Sequence, residues 1–427
     1  MNPPEFTMTI SQNAYLPAGA REVNAVITVT SGEGTNGRAG AAEAAEIIII
    51  DCSGSMGGSR IAEARQAAAA GVDAIRDGVA FAVVAGTHVA SPVYPDDGSL
   101  AVAAADTRAA ARKAVHRVQA GGGTEIGQWL RLALSIFGSR PAALRHAILL
   151  TDGQNVEGPG RLEEAIRLCE GVFRCDCRGV GTGWRVPELR KISTALLGTV
   201  GIVPEPAGLA AGFEAMMQAA MRQEVAGVML RLRVPQHARI RFVKQTAPTA
   251  DDLTGRRAEA GPQAGDYPTG AWGGQESRDY HVCVEVEPAA VGQEMLAARA
   301  SLVLTSPAGP EVLGQEMIKA VWTDDEELST RIDPKVAHAT GQVELAEAIQ
   351  AGLAARRAGD LETATAKLGR AVALAHQSGH EDATRGLARV VDVIDPVTGT
   401  IRLKSKVRDV DEMTLDVESA KTVRVKE

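Results

Sequence analysis

The sequence predicts an α/β fold with a doubly wound, mostly parallel sheet, followed by an antiparallel β-sandwich and an α-helical C-terminal region. Residues 46–222 alternate short apolar runs with helix-like segments, which is typical of parallel strands covered by helices on both faces. Over 223–325 apolar residues recur at every second position, and Pro, Gly and Asp clusters separate the runs, as in antiparallel sandwiches. Residues 326–395 return to helical periodicity.

The first 45 residues contain two strand-like runs, FTMTI and EVNAVITVT, followed by the loop-like segment SGEGTNGRAG. With the five runs of 223–325 they make about seven strands, a usual number for one sandwich. We therefore expect the α/β segment to be inserted into a sandwich whose first strands come from residues 1–32. The alternative is a separate N-terminal hairpin that packs elsewhere.

The α/β segment begins with the stretch IIIIDCSGSMG at residues 47–57. Four consecutive isoleucines indicate a strand that is buried on both faces, because a half-exposed strand would alternate apolar and polar residues. The polar residues follow at its carboxyl end, which is the edge where open α/β sheets bind ligands. The other strand-like runs are VAFAVVAG, SLAVAAA, HAILLT, VFRCDCRGVG and GTVGIV.

The helical region 326–395 contains a segment that resembles a single tetratricopeptide-like hairpin, with Gly-Asp in its turn. One such hairpin cannot bury its own apolar face, so it must pack on the body or on a partner. Residues 396–427 are charged and poor in apolar clusters, and we expect a flexible tail. Phosphorylation of Thr414 or Thr422 there would create a ligand for a phosphothreonine-binding module, whereas the simpler interpretation is an unmodified tail.

Composition limits the function classes. A net charge of −8 gives no support to nucleic acid as a partner. The opening MNPPEFTMTI lacks the basic and apolar regions of a signal peptide, and no stretch approaches the ~18–20 apolar residues of a membrane span. The five cysteines are an odd number scattered along the chain, so we expect reduced thiols. These features predict a cytoplasmic protein without a membrane partner.

Oxygen-bearing side chains occur at three predicted strand ends or loops of the α/β segment. Asp51, Ser53 and Ser55 are spaced two apart after the isoleucine run, Thr124 follows three glycines, and Asp152 ends the run HAILLTD. Hard divalent cations such as Mg²⁺ or Mn²⁺ prefer oxygen ligands. The pattern therefore predicts a metal site, and the alternative is a polar loop without a metal.

At these five positions the sequence resembles the von Willebrand factor A family and its metal-ion-dependent adhesion site, whose pattern is DxSxS, a distant Thr and a distant Asp. The resemblance covers about residues 46–222 and implies that the serines bind the metal directly. It also implies that the threonine and the aspartates bind directly or through water. One coordination position then remains for an acidic side chain of a partner protein.

We accordingly expect a non-enzymatic, metal-dependent interaction protein, a scaffold or signalling component that holds Mg²⁺, with Mn²⁺ or Ca²⁺ as alternatives. A chelatase-like or ATPase-partner subunit is a second interpretation, and it requires a separate motor because the chain has no GxxxxGK[ST] loop. A magnesium-dependent phosphohydrolase with Asp51 as nucleophile is disfavoured, because Ser53 stands where such enzymes favour a second acidic group.

Three cysteines allow two interpretations each. Cys52 could bind a metal, but a soft thiolate suits zinc or copper better than an oxygen site, so we interpret it as a buried small residue. Cys175 and Cys177 could be redox-active. They share a strand face with Phe173, however, which favours packing.

Four arginines alternate with apolar residues on two runs that the sequence places next to each other, and they are Arg231, Arg233, Arg239 and Arg241. They could bind an anion, but a solvated sheet face explains the same pattern and is favoured.

Overall fold

The computed structural model describes residues 5–33, 43–140, 144–205, 208–306 and 309–424, so most of the SGEGTNGRAG loop lies outside the described residues. The strands are β1 (Phe6–Gln12), β2 (Tyr15–Pro17), β3 (Glu22–Ser31), β4 (Ala44–Asp51), β5 (Ala80–Gly86), β6 (Ala90–Tyr94), β7 (Ala101–Val102), β8 (Leu144–Thr151), β9 (Arg174–Val180), β10 (Val200–Val203), β11 (Gln223–Val225), β12 (Val228–Arg233), β13 (Ala238–Ala247), β14 (Asp251–Asp252), β15 (Ala258–Glu259), β16 (Ala264–Pro268), β17 (Trp272–Gly273), β18 (Ser277–Val286), β19 (Glu294–Ser306), β20 (Gly309–Thr323), β21 (Val391–Asp395) and β22 (Thr400–Leu403). The helices are α1 (Ser59–Ala74), α2 (Ala105–Val115), α3 (Ile126–Gly138), α4 (Arg161–Cys169), α5 (Val186–Ala195), α6 (Leu209–Met221), α7 (Glu326–Thr330), α8 (Pro334–Arg357), α9 (Leu361–Ser378), α10 (Glu381–Val390) and α11 (Asp409–Glu418).

The chain forms two compact units. Residues 37–226 make up the α/β unit, and residues 1–36 together with 227–427 make up what we call the sandwich unit. Within the described part of the chain, none of the helices combines the length and the apolar character that a bilayer span requires.

The α/β unit is built on a sheet with the strand order β10-β9-β8-β4-β5-β6, in which β7 also pairs with β5. The pairs from β10 to β5 are parallel, and β6 and β7 pair with β5 in the antiparallel direction. The predicted fold class is therefore confirmed. The edge strand β6 has the sequence ASPVY, which carries no strong apolar signal, and sequence reasoning did not find it.

The four isoleucines lie in β4, which runs between β8 and β5. Their side chains are fully buried, with Ile48 and Ile50 packed against α1 and α6. Helices cover both faces of the sheet, which leaves the carboxyl end of β4, at Asp51, as the place where the chain leaves the core.

The sandwich unit contains two antiparallel sheets that contact each other. One has the order β1-β3-β18-β13-β14, and the other has the order β15-β16-β12-β19-β20-β2, with β2 the parallel exception. The N-terminal strands are part of these sheets, since β3 pairs with β18 from Glu22↔Glu285 to Thr30↔Ser277. This is the arrangement expected of an inserted α/β segment rather than of a separate hairpin.

The expectation that the four arginines lie on two neighbouring strands is wrong, because β12 and β13 belong to different sheets. Three of them form ion pairs with carboxylates on neighbouring strands. Arg231 forms a bidentate pair with Asp266 at 2.7 and 2.8 Å. Arg239 and Arg241 share Glu285, at 2.8 and 3.1 Å. This pairing favours a solvated sheet face over an anion site.

The two long helices α8 and α9 form the predicted hairpin. Gly359 takes a positive φ of 80° in the turn, and the Asp360 side chain caps α9 by accepting from the Thr363 N–H. Where the helices cross, a Cβ on Gly352 would lie 2.7 Å from Leu368 Cγ, so only glycine permits this approach. The hairpin shares one apolar cluster with α10, α11 and β22, and thus buries its face within the unit.

The expectation of a flexible tail over 396–427 is wrong for its described part. Residues 400–403 form β22 against β21, and α11 buries Met413, Leu415 and Val417. The backbone beyond α11 is held as well, since Ala250 N–H donates to Ala420 O at 2.7 Å. The apolar residues of α11 are too few to stand out in sequence, but contacts from distant segments bury them. Residues 425–427 lie outside the described residues.

The two candidate phosphorylation sites lie in this ordered segment. Thr414 is a half-buried residue of α11. Thr422 is also half-buried, its N–H donates to Pro248 O at 3.2 Å, and its buried hydroxyl oxygen has no hydrogen-bond partner among the described residues. Neither lies in a flexible tail.

Candidate metal centre

The loop after β4 places Asp51, Ser53 and Ser55 at the carboxyl edge of the sheet. Asp51 and Ser53 are buried, whereas Ser55 is exposed, so the group opens to solvent at Ser55. A short 3-10 turn over Gly54–Met56 follows, in which Met56 N–H donates to Ser53 O at 3.0 Å. The Met56 side chain is fully buried and anchors the turn in the core.

The glycine-rich segment before α3 lies against this loop and brings Thr124 to it. Gly54 N–H donates to Gly122 O at 2.9 Å, and Gly121 N–H donates to Cys52 O at 2.7 Å. Gly122 has a φ of 82°, which an L side chain rarely adopts, and a Cβ there would collide with His88. The Thr124 side chain is buried beside the loop.

The third segment follows β8 and is connected to Thr124 through the start of α3. The Asn155 side chain accepts from Ile126 N–H at 2.9 Å, and the Glu157 side chain accepts from Gly127 N–H at 2.8 Å. These two acceptors satisfy donors that every helix start leaves unpaired. The loop that carries Asp152 is thus fixed relative to Thr124.

The five predicted residues converge on one small region around Gly153. The Ser53 and Ser55 hydroxyl oxygens are 2.9 Å apart, and the Ser55 hydroxyl donates to Asp152 Oδ1 at 2.6 Å. A Cβ on Gly153 would lie 2.8 Å from Thr124 Oγ1, 3.5 Å from Ser55 Oγ and 3.7 Å from Asp51 Oδ2. The absence of a side chain at Gly153 therefore keeps open a cradle between oxygens of three segments.

This arrangement fits a hard divalent cation. All the donor atoms are oxygens, three from hydroxyls and the rest from two carboxylates, which suits Mg²⁺ or Mn²⁺ rather than a thiophilic metal. Neighbouring ligands of an octahedral Mg²⁺ stand about 2.9 Å apart, since each lies ~2.0–2.1 Å from the ion. The two oxygen separations of 2.9 and 2.6 Å lie close to that value.

Asp51 is the most constrained of the five residues. Its Oδ1 accepts from the Ser53 N–H at 2.8 Å, and its Oδ2 accepts from the Thr151 hydroxyl at 2.5 Å. Burial raises the pKa of the Asp51 carboxyl, an effect that these hydrogen bonds oppose and the nearby Asp152 carboxylate reinforces. A bound cation would favour the ionised form. The two hydrogen bonds fix the orientation of the Asp51 carboxylate beside the other oxygens.

Sequence reasoning missed three neighbours of the site. Thr151 holds Asp51, Gly153 leaves the cradle open, and Arg60 Nη1 donates to Asp152 Oδ2 at 2.9 Å. Thr151 and Gly153 flank Asp152 in the chain, so the strand-end position was a signal for both. Arg60 is the fifth residue after Ser55, and its basic character next to an acidic motif was the available signal.

The cysteines are structural. Cys52 is buried, its thiol donates to Ile50 O at 3.4 Å, and burial raises its pKa to about 12, so it does not supply a thiolate to the site. Cys175 and Cys177 are fully buried and free, and the hydrogen bond with Cys177 together with burial raises the pKa of the Cys175 thiol. Within the described ranges, no group of three or more His, Cys, Asp or Glu side chains could hold a metal ion.

Comparisons with known proteins identify the family of the α/β unit and of the C-terminal segment. Residues 45–202 match the family model described as von Willebrand factor type A domain, and residues 373–419 match the von Willebrand factor type A C-terminal domain. The structure resembles that of a von Willebrand factor type A protein from Catenulispora acidiphila, with 52% identity and a TM-score of 0.93 over 99% of this chain and 98% of the other.

Two more distant relatives were found. The ArnB paralog VWA2 from Sulfolobus acidocaldarius is 14% identical with a TM-score of 0.59, covers 97% of this chain and 99% of its own, and shows the fold alone. An uncharacterised protein of Synechocystis is 26% identical over 217 residues, or 48% of this chain, and the match spans 49% of that protein's length. The whole-chain similarity to the Catenulispora protein and the two family models show that this chain belongs to the von Willebrand factor type A family.

Proposed function

We propose that this protein is a non-enzymatic interaction protein that binds an acidic side chain of a partner through a divalent cation, held by Asp51, Ser53, Ser55, Thr124 and Asp152. The observation that carries the proposal is the convergence of these oxygens from three segments on the Gly153 cradle. Members of the family usually mediate metal-dependent protein interactions, which supports the same function.

Each residue has a distinct part in this proposal. The Ser53 and Ser55 hydroxyls and Asp152 Oδ1 would be neighbouring ligands, and Thr124 would add a third hydroxyl. Asp51, with its carboxylate oriented by Ser53 and Thr151, would contact the cation directly or through water. The cation, Mg²⁺ by preference with Mn²⁺ or Ca²⁺ as alternatives, would supply a positive centre that attracts an external carboxylate.

The position of Asp51 supports a binding role over the phosphohydrolase alternative. A nucleophilic carboxylate needs an oxygen that faces its substrate. Asp51 is fully buried, and both its oxygens are engaged by Ser53 and Thr151. Hydrolysis of small phosphomonoesters by the wild type that is lost in Asp51→Asn would overturn the proposal.

The surface beside the cradle offers apolar contacts for a protein partner. Val156 lies next to Thr124, whose carbonyl accepts from the Val156 N–H at 2.8 Å, and its side chain is 65% exposed. Val89, in the turn after β5, is 55% exposed. Apolar residues are common in the cores of protein interfaces.

An affinity pull-down from the native cell extract tests the proposal. The baits are the wild type with Mg²⁺, the wild type with EDTA, and Asp152→Ala with Mg²⁺. We expect a protein that only the first bait retains, and an ATPase in that position would select the ATPase-partner interpretation. The same proteins on all three baits would contradict a metal bridge.

Binding of a phosphothreonine-binding module to the C-terminal segment is a separate proposal, and it requires that this segment first become accessible to a kinase. Thr422 is half-buried, and its N–H donates a hydrogen bond to Pro248 O. Residues 420–424 would therefore have to detach before a kinase could reach Thr422. The cytoplasmic location likewise stays a prediction from the sequence.

A further inference from the structure

Arg60 reaches from solvent into the candidate metal centre. It is the second residue of α1, and its Nη1 donates to Asp152 Oδ2 at 2.9 Å and to the Ser55 carbonyl at 3.3 Å. Its side chain is 52% exposed, whereas the Asp152 side chain is 1% exposed. The guanidinium therefore lies at the solvent-facing rim of the site.

The ion pair divides the Asp152 carboxylate between two neighbours. Oδ1 accepts from the Ser55 hydroxyl at 2.6 Å, and Oδ2 accepts from Arg60. Arg60 thus leaves Oδ1 on the side of the serine hydroxyls. A cation at those hydroxyls and the guanidinium can share Asp152 without competing for the same oxygen.

The charge balance of the site gives Arg60 a further role. The two carboxylates of Asp51 and Asp152 neutralise one divalent cation, so the site without Arg60 would carry no net charge. Arg60 adds one positive charge at the rim, and its guanidinium has donors beyond Nη1 in a planar fork that matches a carboxylate. A charge-assisted hydrogen bond to a carboxylate is about twice as strong as a neutral one.

We propose that Arg60 is a specificity-determining residue that donates to the second oxygen of the partner carboxylate bound at the metal, and so selects an Asp or Glu side chain over a neutral amide. This inference depends on the proposed function. Arg60 donates to Asp152 from one nitrogen and to the partner carboxylate from the others.

The relaxation rate of water protons, measured on the full-length protein with Mn²⁺, tests this role. Bound Mn²⁺ accelerates the relaxation of the protons of its coordinated water. Acetate that displaces this water therefore lowers the relaxation rate. Mn²⁺ affinity is first measured by calorimetry, and acetate is then titrated at constant ionic strength. The variants are Arg60→Gln, which removes the charge, and Arg60→Lys, which keeps the charge without the fork. Arg112→Gln is the control. Arg112 lies in α2, is 40% exposed and pairs with Asp73, which is about 20 Å from Arg60 along α1.

We expect Arg60→Gln to bind acetate about tenfold more weakly than the wild type, and to lose clearly less affinity for Mn²⁺ than for acetate. Arg60→Lys should fall between the two, and Arg112→Gln should match the wild type in both measurements. Unchanged acetate affinity in Arg60→Gln would overturn the inference. So would a loss of Mn²⁺ affinity as large as the loss for acetate, because Arg60 would then only hold Asp152. A wild type that binds no Mn²⁺ would overturn the proposed function itself.

Discussion

Gly153 and its neighbours show how much of the site depends on single residues. Thr124, Ser55 and Asp51 approach the position that a Gly153 side chain would fill, and the Thr151 hydroxyl donates to the Asp51 oxygen that faces this position. Small residues at such points leave room for a ligand, whereas larger ones would fill the space. We therefore expect a side chain at Gly153 to weaken binding.

Gly153→Ala tests the cradle. The new methyl group would lie 2.8 Å from Thr124 Oγ1, and the threonine side chain would have to rotate away from the site. We expect the affinity for Mg²⁺, measured by calorimetry, to fall about tenfold or more, the range seen when groups that orient metal ligands are lost.

The matched control is Gly158→Ala in the same loop, where an added Cβ meets nothing within 4 Å. It should bind Mg²⁺ like the wild type. Equal affinities in both variants would show that the cation does not depend on the cradle.

His281 gives the sandwich unit a predictable dependence on pH. It is buried on β18 and its Nε2 lies 3.0 Å from Asn24 Oδ1 on β3, while burial and the positive charge of Lys244 lower its pKa to about 4. In the unfolded chain the pKa is near 6.5. As the pH falls below 6.5, His281 becomes protonated in the unfolded chain, whereas in the folded chain it stays neutral until the pH approaches 4. The free energy of unfolding therefore decreases between pH 6.5 and 4.

His281→Gln keeps a donor for Asn24 but does not titrate. We expect the wild type to lose up to about 3 kcal/mol of stability between pH 6.5 and 4, and His281→Gln to lose correspondingly less. Native-state hydrogen exchange of the β3 and β18 amides measures this. His116→Gln, at an exposed position, is the control, and equal pH dependence in all three proteins would contradict the assignment.

At the scale of elements, the close packing of α8 against α9 requires glycine at position 352 but not at position 341. Gly352 permits the approach to Leu368, whereas Gly341 in the same helix has open space around its Cα. A glycine within a helix normally costs about 0.5–1 kcal/mol relative to alanine. The two glycines should therefore respond to the same substitution with opposite signs.

We expect Gly352→Ala to destabilise the protein by about 1–3 kcal/mol through overpacking, and Gly341→Ala to stabilise it by about 0.5–1 kcal/mol. Urea unfolding followed by circular dichroism compares the two variants. Stabilisation by Gly352→Ala would show that the α8–α9 crossing is looser than the structure describes.

At the scale of the whole molecule, the α/β unit contains the site and the sandwich unit contains the C-terminal family segment. A ligand that binds only the folded state raises the free energy of unfolding by an amount set by its concentration and affinity. The metal can therefore be detected through the stability of the unit that binds it.

Addition of Mg²⁺ at 100 times its dissociation constant should stabilise the α/β unit by about 2.7 kcal/mol, and EDTA should reverse this. Hydrogen exchange of the β4 amides measures this stabilisation, because β4 is a buried central strand of the sheet. Asp152→Ala should show no such change. The same stabilisation in Asp152→Ala would place the bound Mg²⁺ elsewhere.

The sequence by itself determined the α/β fold class, the burial of β4 and the oxygen residues at the strand ends, because apolar periodicity and residue type are local properties of the chain. Asp51, Ser53 and Ser55 could be grouped in this way, since they occupy one loop. Asp152 could be added because parallel strands end at a common edge, and Thr124 because the three glycines before it allow a close approach of the backbone.

Only the tertiary structure decided that β3 pairs with β18, that residues 400–424 are ordered, and that β12 and β13 lie in different sheets. It also placed Arg60 on Asp152 and Thr151 on Asp51. Each of these depends on contacts between residues far apart in the chain. Such contacts become favourable only when the whole fold has formed around them, and no local pattern records them.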